Sequence, residues 1–173
     1  MTDLIQRAKE FATQAHEGQV RKYTGVPYIV HPIEVMEIVS TVEHDDAMLA
    51  AALLHDVVED TDRTIDDIRT EFGEDVALLV ADMTDVSKPG DGNRRARKAK
   101  DRTHSGSASA RAQTIKLADL ISNSVDIIKH DRKFAKLYMQ EKLLLLGVLV
   151  RGDKTLFVKA LRLVADYHEA NLS

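Results

Sequence analysis

Residues 51–61 read AALLHDVVEDT. The run begins apolar and then sets four ionisable groups, His55, Asp56, Glu59 and Asp60, within six positions. Ionisable groups are costly in apolar surroundings unless something pairs with them. The stretch from 46 to 59 reads as one apolar helix carrying this motif. On a helix, residues four apart share a face, which groups His55 with Glu59 and Asp56 with Asp60. Neighbours such as His55 and Asp56 stand about 100° apart, and both can turn toward one point beside the helix end.

Helical spacing continues on either side. TDLIQRAKEFATQAH (2–16) puts Leu4, Ile5, Ala8, Phe11, Ala12 and Ala15 on one stripe, with Thr2 or Asp3 placed to cap it. EGQVRKYTGVPY (17–28) is a loop punctuated by Gly18, Gly25 and Pro27. A helix is predicted from about Pro32 to Val42, opened by the proline in its first turn. DRTIDDIRTEFG (62–73) is a short capped helix, with Thr64 near its start and Gly73 ending it. EDVALLVADMTDV (74–86) is another helix, and SKPGDGN (87–93) is the clearest loop of the chain. After a basic segment, HSGSASA (104–110) interrupts again, and a serine there can cap a helix running from about Ala108 to Lys129. Helices near 133–147 and 153–170 finish the chain; the last, through Leu156, Phe157, Ala160, Leu161, Leu163 and Val164, packs into the core or forms a face between copies in a homo-oligomer. No segment reads as a strand and no repeat is present. The expectation is an all-α fold, a helical bundle in which 1–173 form a single domain.

Composition narrows the function. A chain of 173 residues suits one domain with a sizeable core. It has no cysteine, which removes disulfides, thiolate metal sites and thiol nucleophiles. No run is long or apolar enough to span a membrane, and the charged, amphipathic N-terminus is unlike a signal sequence, so the expected compartment is the cytoplasm. The net charge of −4 argues against a general nucleic-acid binder. Yet residues 94–102, RRARKAKDR, hold six basic residues and one acid, leaving 18 basic against 27 acidic residues elsewhere. Such a segment on an acidic body attracts anions; equally, it can be a solvated helix face.

Imidazole and carboxylate together suit a divalent ion such as manganese, iron or zinc. Two adjacent ligands are too few, and two other stretches offer more. YIVHPIEV holds His31 at the end of a loop, immediately before the proline that starts a helix. TIKLADLISNS spaces Lys116, Asp119 and Asn123 along one helical stripe. His31, His55, Asp56 and Asp119 would make a two-histidine, two-aspartate set. Each piece has an ordinary alternative: a histidine beside an apolar run is often packed and hydrogen-bonded, and Asp119 with Asn123 can be a solvated stripe. Likewise Arg21–Lys22–Tyr23 can be an exposed polar loop over a tucked aromatic, and His16 reads as a structural histidine near a helix C-terminus. The joint occurrence is what favours a metal, since a cation relieves the crowding of acids around Glu59 and Asp60.

Four blocks, AHEGQVRKYTGVPYIVHPIEV, AALLHDVVEDT, FGEDVALLVADMTDVSK and IKLADLISN, occur in an order and spacing that resemble the HD-domain hydrolases of the RelA/SpoT-homologue group, specifically its stand-alone small alarmone hydrolases. The resemblance runs from about Phe11 to Asp126. It implies an HD-domain bundle that removes the 3′-pyrophosphate from ppGpp-type nucleotides of the stringent response. It further implies one manganese ion on His31, His55, Asp56 and Asp119, with Glu59 and Asp60 orienting and deprotonating the attacking water. Arg21 and Lys22 would pack on the base and Asn123 would contact the ribose or its phosphate. Lys88, Lys116 and the basic segment would meet phosphates, and Tyr138 falls near a pocket tyrosine of the family. These roles suit the chemistry. A phosphoryl ester is shielded by its negative oxygens, so positioning and charge neutralisation do most of the catalysis.

Two features depart from the family pattern. The stretch from Met83 to Gln113 is longer and more basic, and KLADLISNS lacks the aromatic or histidine often found before the asparagine. Both touch the implied pocket rim and put the base preference in doubt, which admits adenosine alarmones of the ppApp type or another 3′-phosphorylated nucleotide. There is no room in the chain for the synthetase domain of longer relatives. The alternatives are an HD-domain nucleotidase acting on other nucleotides and a nucleotide-sensing domain without turnover; nucleic-acid binding through 94–102 is disfavoured by the acidic body.

Overall fold

The computed structural model describes residues 2–171. The amphipathic N-terminal stripe forms α1 (Asp3–Ala15), which buries Ile5, Ala8 and Ala12. α2 (Val30–Val39) and α3 (Asp46–Leu54) follow, then the single turn α4 (Val57–Asp60), α5 (Ile65–Phe72) and α6 (Glu74–Met83). A 3₁₀ turn at Pro89–Asp91 precedes α7 (Arg94–Ser107), α8 (Ala110–His130), α9 (Arg132–Leu146) and α10 (Lys154–Ala170). Among the described residues the one extended pairing is an isolated bridge between Val20 and Pro27, so the all-α expectation holds. The chain divides into two compact units, Met1–Thr84 and Asp85–Ser173.

In the first unit α3 is the centre. Met48 through Leu54 are all buried, because a helix that is apolar all round needs neighbours on every side. α1, α2 and α6 supply them. Leu53 and Leu54 are fully buried, each side chain contributing on the order of 1.5–3 kcal/mol. Asp45 starts the helix by accepting a hydrogen bond from the Met48 N–H. α5 carries the capping box that its sequence announced: Thr64 Oγ1 accepts from the Asp67 N–H, and the Asp67 carboxylate accepts from the Thr64 N–H. That bond, followed by the Thr64 hydroxyl, holds the Asp67 carboxyl below the usual range. Gly73 ends α5 at a φ of 86°, where an L side chain is strained.

In the second unit α8 is central and packs against α9 and α10. Fully buried Gln113 ties its start to neighbouring turns. Its amide donates to the carbonyls of Ser105, Gly106 and Ala108 at 3.2–3.3 Å, and its oxygen accepts from the Arg151 N–H at 2.9 Å. α7 runs through His104–Ser107, where an interruption was expected; the break is confined to Ala108 and Ser109, and Ser109 caps α8. Of the apolar residues expected to pack on α10, Leu156, Ala160 and Val164 are buried, whereas Leu161 is exposed.

Candidate metal centre and active site

Two sequence expectations fail locally, and the failures build the site. The helix expected over 46–59 breaks after Leu54, so His55 and Asp56 occupy the joint between α3 and α4. α2 begins at Val30, earlier than expected, and seats His31 in its first turn rather than at a loop end. His31 N–H donates to the Tyr28 carbonyl at 2.9 Å, which fixes that turn. Both histidines are buried and converge on one carboxylate oxygen. Asp56 Oδ2 lies 3.1 Å from His55 Nε2 and 3.6 Å from His31 Nε2. Of the pairs expected to share a face, Asp56 and Asp60 remain linked, with the Asp60 N–H donating to the Asp56 carbonyl at 2.9 Å. His55 and Glu59 part company, the first buried and the second exposed.

The donor set fits a divalent ion. His55 Nδ1 lies 2.8 Å from the Ala52 carbonyl, an oxygen that can only accept, so Nδ1 carries the hydrogen. When the ring is neutral, its Nε2 lone pair faces an anionic oxygen, and a cation between them satisfies both. One ligand atom from each of His31, His55 and Asp56 lies within 4.8 Å of the others. Ligands about 2.0–2.2 Å from an ion stand about 2.8–3.6 Å apart in tetrahedral or octahedral shells, the range of the two distances above.

Around this trio the loop between α1 and α2 folds into a small hairpin, with Arg21 N–H donating to the Val26 carbonyl at 2.8 Å and Tyr28 N–H to the Gln19 carbonyl at 3.0 Å. The Tyr28 hydroxyl reaches Asp56 Oδ2 at 2.6 Å and Asp60 Oδ2 at 3.3 Å. Burial first, and then the Asp56 charge, push the Asp60 carboxyl above the usual range, against the pull of Tyr28, His16 and His55. Arg21 is buried in the hairpin; Lys22 is exposed, with its Nζ 4.9 Å from the Tyr23 ring. His16 is buried at the end of α1, its Nδ1 2.8 Å from Gln19 Oε1, the structural role read from its sequence.

The second unit carries the other candidates. Asp119 is buried on α8 and accepts from Asn123 Nδ2 at 2.6 Å, so these two are joined rather than solvated. Lys116 is half-buried on the same helix, and Tyr138 is buried on α9 beside Phe134. Lys88 is exposed at the 3₁₀ turn, on a cavity of about 260 Å³ that Ser87, Arg94, Arg97, Lys98 and Asp101 also line.

Sequence reading missed Tyr28, Asp85 and Lys142. Lys98 Nζ donates to Asp85 Oδ2 at 2.8 Å. Burial alone would raise the Asp85 carboxyl, but Lys116 and Lys98 hold it below the usual range. Lys142 lies over the Tyr138 ring at 4.7 Å. Burial pushes its ammonium down to about 8 against the pull of Asp119, with Lys116 and Lys98 adding to the push. Its signal was its place one turn after Tyr138, on the same helical face.

The architecture and this trio are those of an HD domain, and the family model described as HD domain matches residues 8–142. The chain belongs to the HD-domain family. It is 40% identical over 128 residues to the guanosine-3′,5′-bis(diphosphate) 3′-pyrophosphohydrolase MESH1 of Xenopus tropicalis, covering 72% of this chain and 69% of that one. It is 49% identical over 84 residues to the guanosine-3′,5′-bis(diphosphate) 3′-pyrophosphohydrolase of Aquifex aeolicus (strain VF5), covering 49% of this chain but only 12% of that much longer protein. In three dimensions it is similar to a metazoan ortholog of SpoT described as hydrolyzing ppGpp and playing a role in starvation responses. That match has a TM-score of 0.87 at 29% identity, covering 96% of this chain and 97% of the other. None of the described helices is long and apolar enough to cross a membrane.

Proposed function

We propose that this chain is a manganese-dependent hydrolase that removes the 3′-pyrophosphate from guanosine or adenosine alarmones. The observation that carries the reading is the convergence of His31, His55 and Asp56, with Asp60 one turn beyond and joined to Asp56 through Tyr28. The names of the relatives support the guanosine substrate. Asp119 is proposed as the fourth ligand, and the run of the family model from 8 to 142 supports treating the two units as one catalytic domain.

A divalent ion held by these residues supplies Lewis acidity, polarising a phosphoryl oxygen and acidifying nearby water. The residues of the chain supply the rest. Glu59 and Asp60 orient the water and take its proton. Asp60, with its carboxyl raised above the usual range, is suited to holding one. The new bond joins the water oxygen to the 3′-linked phosphorus, the bond from that phosphorus to the ribose 3′ oxygen breaks, and the oxygen leaves with a proton. Arg21 and Lys22 are assigned to the base, Asn123 to the ribose or its phosphate, and Lys88, Lys116 and Tyr138 to the remaining phosphates and pocket. The cytoplasm is the assigned compartment.

The test measures pyrophosphate released from ppGpp, ppApp and a 5′-monophosphate, with Mn²⁺ and with EDTA. Manganese-dependent pyrophosphate from either alarmone is expected, and the ratio of the two sets the base preference. Phosphate from the monophosphate instead makes the chain a nucleotidase, and no turnover of any substrate makes it a sensing domain.

A further inference from the structure

The Tyr28 hydroxyl has one hydrogen and two carboxylates within reach. The 2.6 Å contact makes Asp56 Oδ2 the acceptor, and this is the oxygen on which His31 and His55 converge. Asp60 Oδ2 lies 3.3 Å from the same hydroxyl oxygen. A single group therefore touches both the proposed metal ligand and the proposed water-handling acid.

The ring is held on several sides. Its centroid is 4.7 Å from that of buried His16 and 6.0 Å from that of His31, and its backbone N–H is bonded to the Gln19 carbonyl. Gln19 then closes the circuit: its oxygen meets His16 Nδ1 and its amide donates to the Asp60 carbonyl at 2.8 Å. The hairpin thus grips α4 at two points, the Asp60 backbone through Gln19 and the Asp60 side chain through Tyr28. Glu59 and Asp60 are both exposed on that turn.

We propose that Tyr28 is a positioning residue whose hydroxyl sets the Asp56 carboxylate for the ion and the Asp60 carboxylate for the water at once. The inference rests on the metal-dependent reading above. Groups that orient ligands from the next shell typically contribute 10–100-fold to metal affinity or activity.

The experiment uses Tyr28→Phe, which keeps the ring and its stacking and removes only the hydroxyl. Mn²⁺ affinity is measured by calorimetric titration without nucleotide, kcat and KM for ppGpp at saturating Mn²⁺, and the melting temperature in EDTA. The expected result is a loss of about 10–100-fold in Mn²⁺ affinity, a kcat that stays low at saturating metal with KM nearly unchanged, and an unchanged melting temperature. Unaltered affinity would overturn the role at Asp56, and full kcat at saturating Mn²⁺ would overturn the role at Asp60. A lowered melting temperature with no other change would make Tyr28 a packing residue. Failure of the unsubstituted chain to bind Mn²⁺ would instead bring down the metal-dependent reading, and the positioning role with it.

Discussion

Asp56 shows how much one side chain can gather. Its Oδ2 meets two histidines and a tyrosine, so the carboxylate has few orientations left. Glu59, three residues on, is exposed, which suits a group that must reach a substrate rather than hold an ion. The two residues therefore separate experimentally. Glu59→Gln should leave Mn²⁺ affinity within about twofold and lower kcat by about 10²–10⁴, the usual worth of a general base, because an amide cannot take the proton. Asp56→Ala should lose metal and turnover together. A fully active Glu59→Gln would remove the base assignment. His55 and Asp56 were legible in the sequence because a histidine and an aspartate side by side at the end of an apolar run need a reason to be there; His31 was picked out by its place immediately before a proline that starts a helix. Tyr28 was not legible as a bridging group: tyrosine in a loop is ordinary, and its role depends on a hairpin that brings it back to α4.

At the scale of elements, the sequence announced α8, α9 and α10, but not the run of α7 through His104–Ser107 nor how α9 presents itself to α8. Lys142 sits one turn after Tyr138 and is held at about 8, well below its ordinary 10.5, by burial and by Lys116 and Lys98. Below pH 8 this lysine is charged in folded and unfolded chains alike, and the folded chain bears the whole penalty. Between about 8 and 10.5 the unfolded chain keeps a proton that the folded chain has released, so stability from this group rises with pH. Lys142→Met removes the penalty with little change of volume. In EDTA its melting temperature should exceed that of the unsubstituted chain at pH 7, by about 2–4 °C per kcal/mol relieved, and the advantage should shrink toward pH 10. An equal difference at both pH values would mean that the gain comes from packing. The breaks that sequence reading misplaced have the same kind of cause. Gly106 and its serine neighbours read as a loop, yet the side chain of Gln113 collects the carbonyls of Ser105 and Gly106, and a Cβ on Gly106 would stand 3.2 Å from Val148. Tertiary partners there outweigh a weak local preference for helix.

At the scale of the whole molecule, the division at Thr84 and Asp85 falls just before the loop that sequence reading found clearest, SKPGDGN. The charge asymmetry was equally legible, but not how much of it is spent internally. Of the six cations in 94–102, Arg94 is bound to Glu141, Lys98 to Asp85 and Lys100 to Asp91, each at 2.8 Å. Asp101 is buried and accepts from the Ser87 N–H and hydroxyl. Arg95, Arg97 and Arg102 form no ion pair with another described residue, and Arg97 shares a cavity with Lys88. These three add outward positive charge to a chain that outside 94–102 carries 18 basic against 27 acidic residues. Fields of this kind raise the local concentration of an anion and are screened over about 8–10 Å in ordinary salt. Neutralising all three arginines to glutamine should raise KM for ppGpp severalfold, leave kcat within about twofold, and flatten the rise of KM between 50 and 500 mM KCl, because the lost interaction is the same before and during the reaction. A fall in kcat at unchanged KM would put at least one of the three against the reacting phosphate. Unchanged constants at every salt concentration would return the outer face of α7 to a solvated surface.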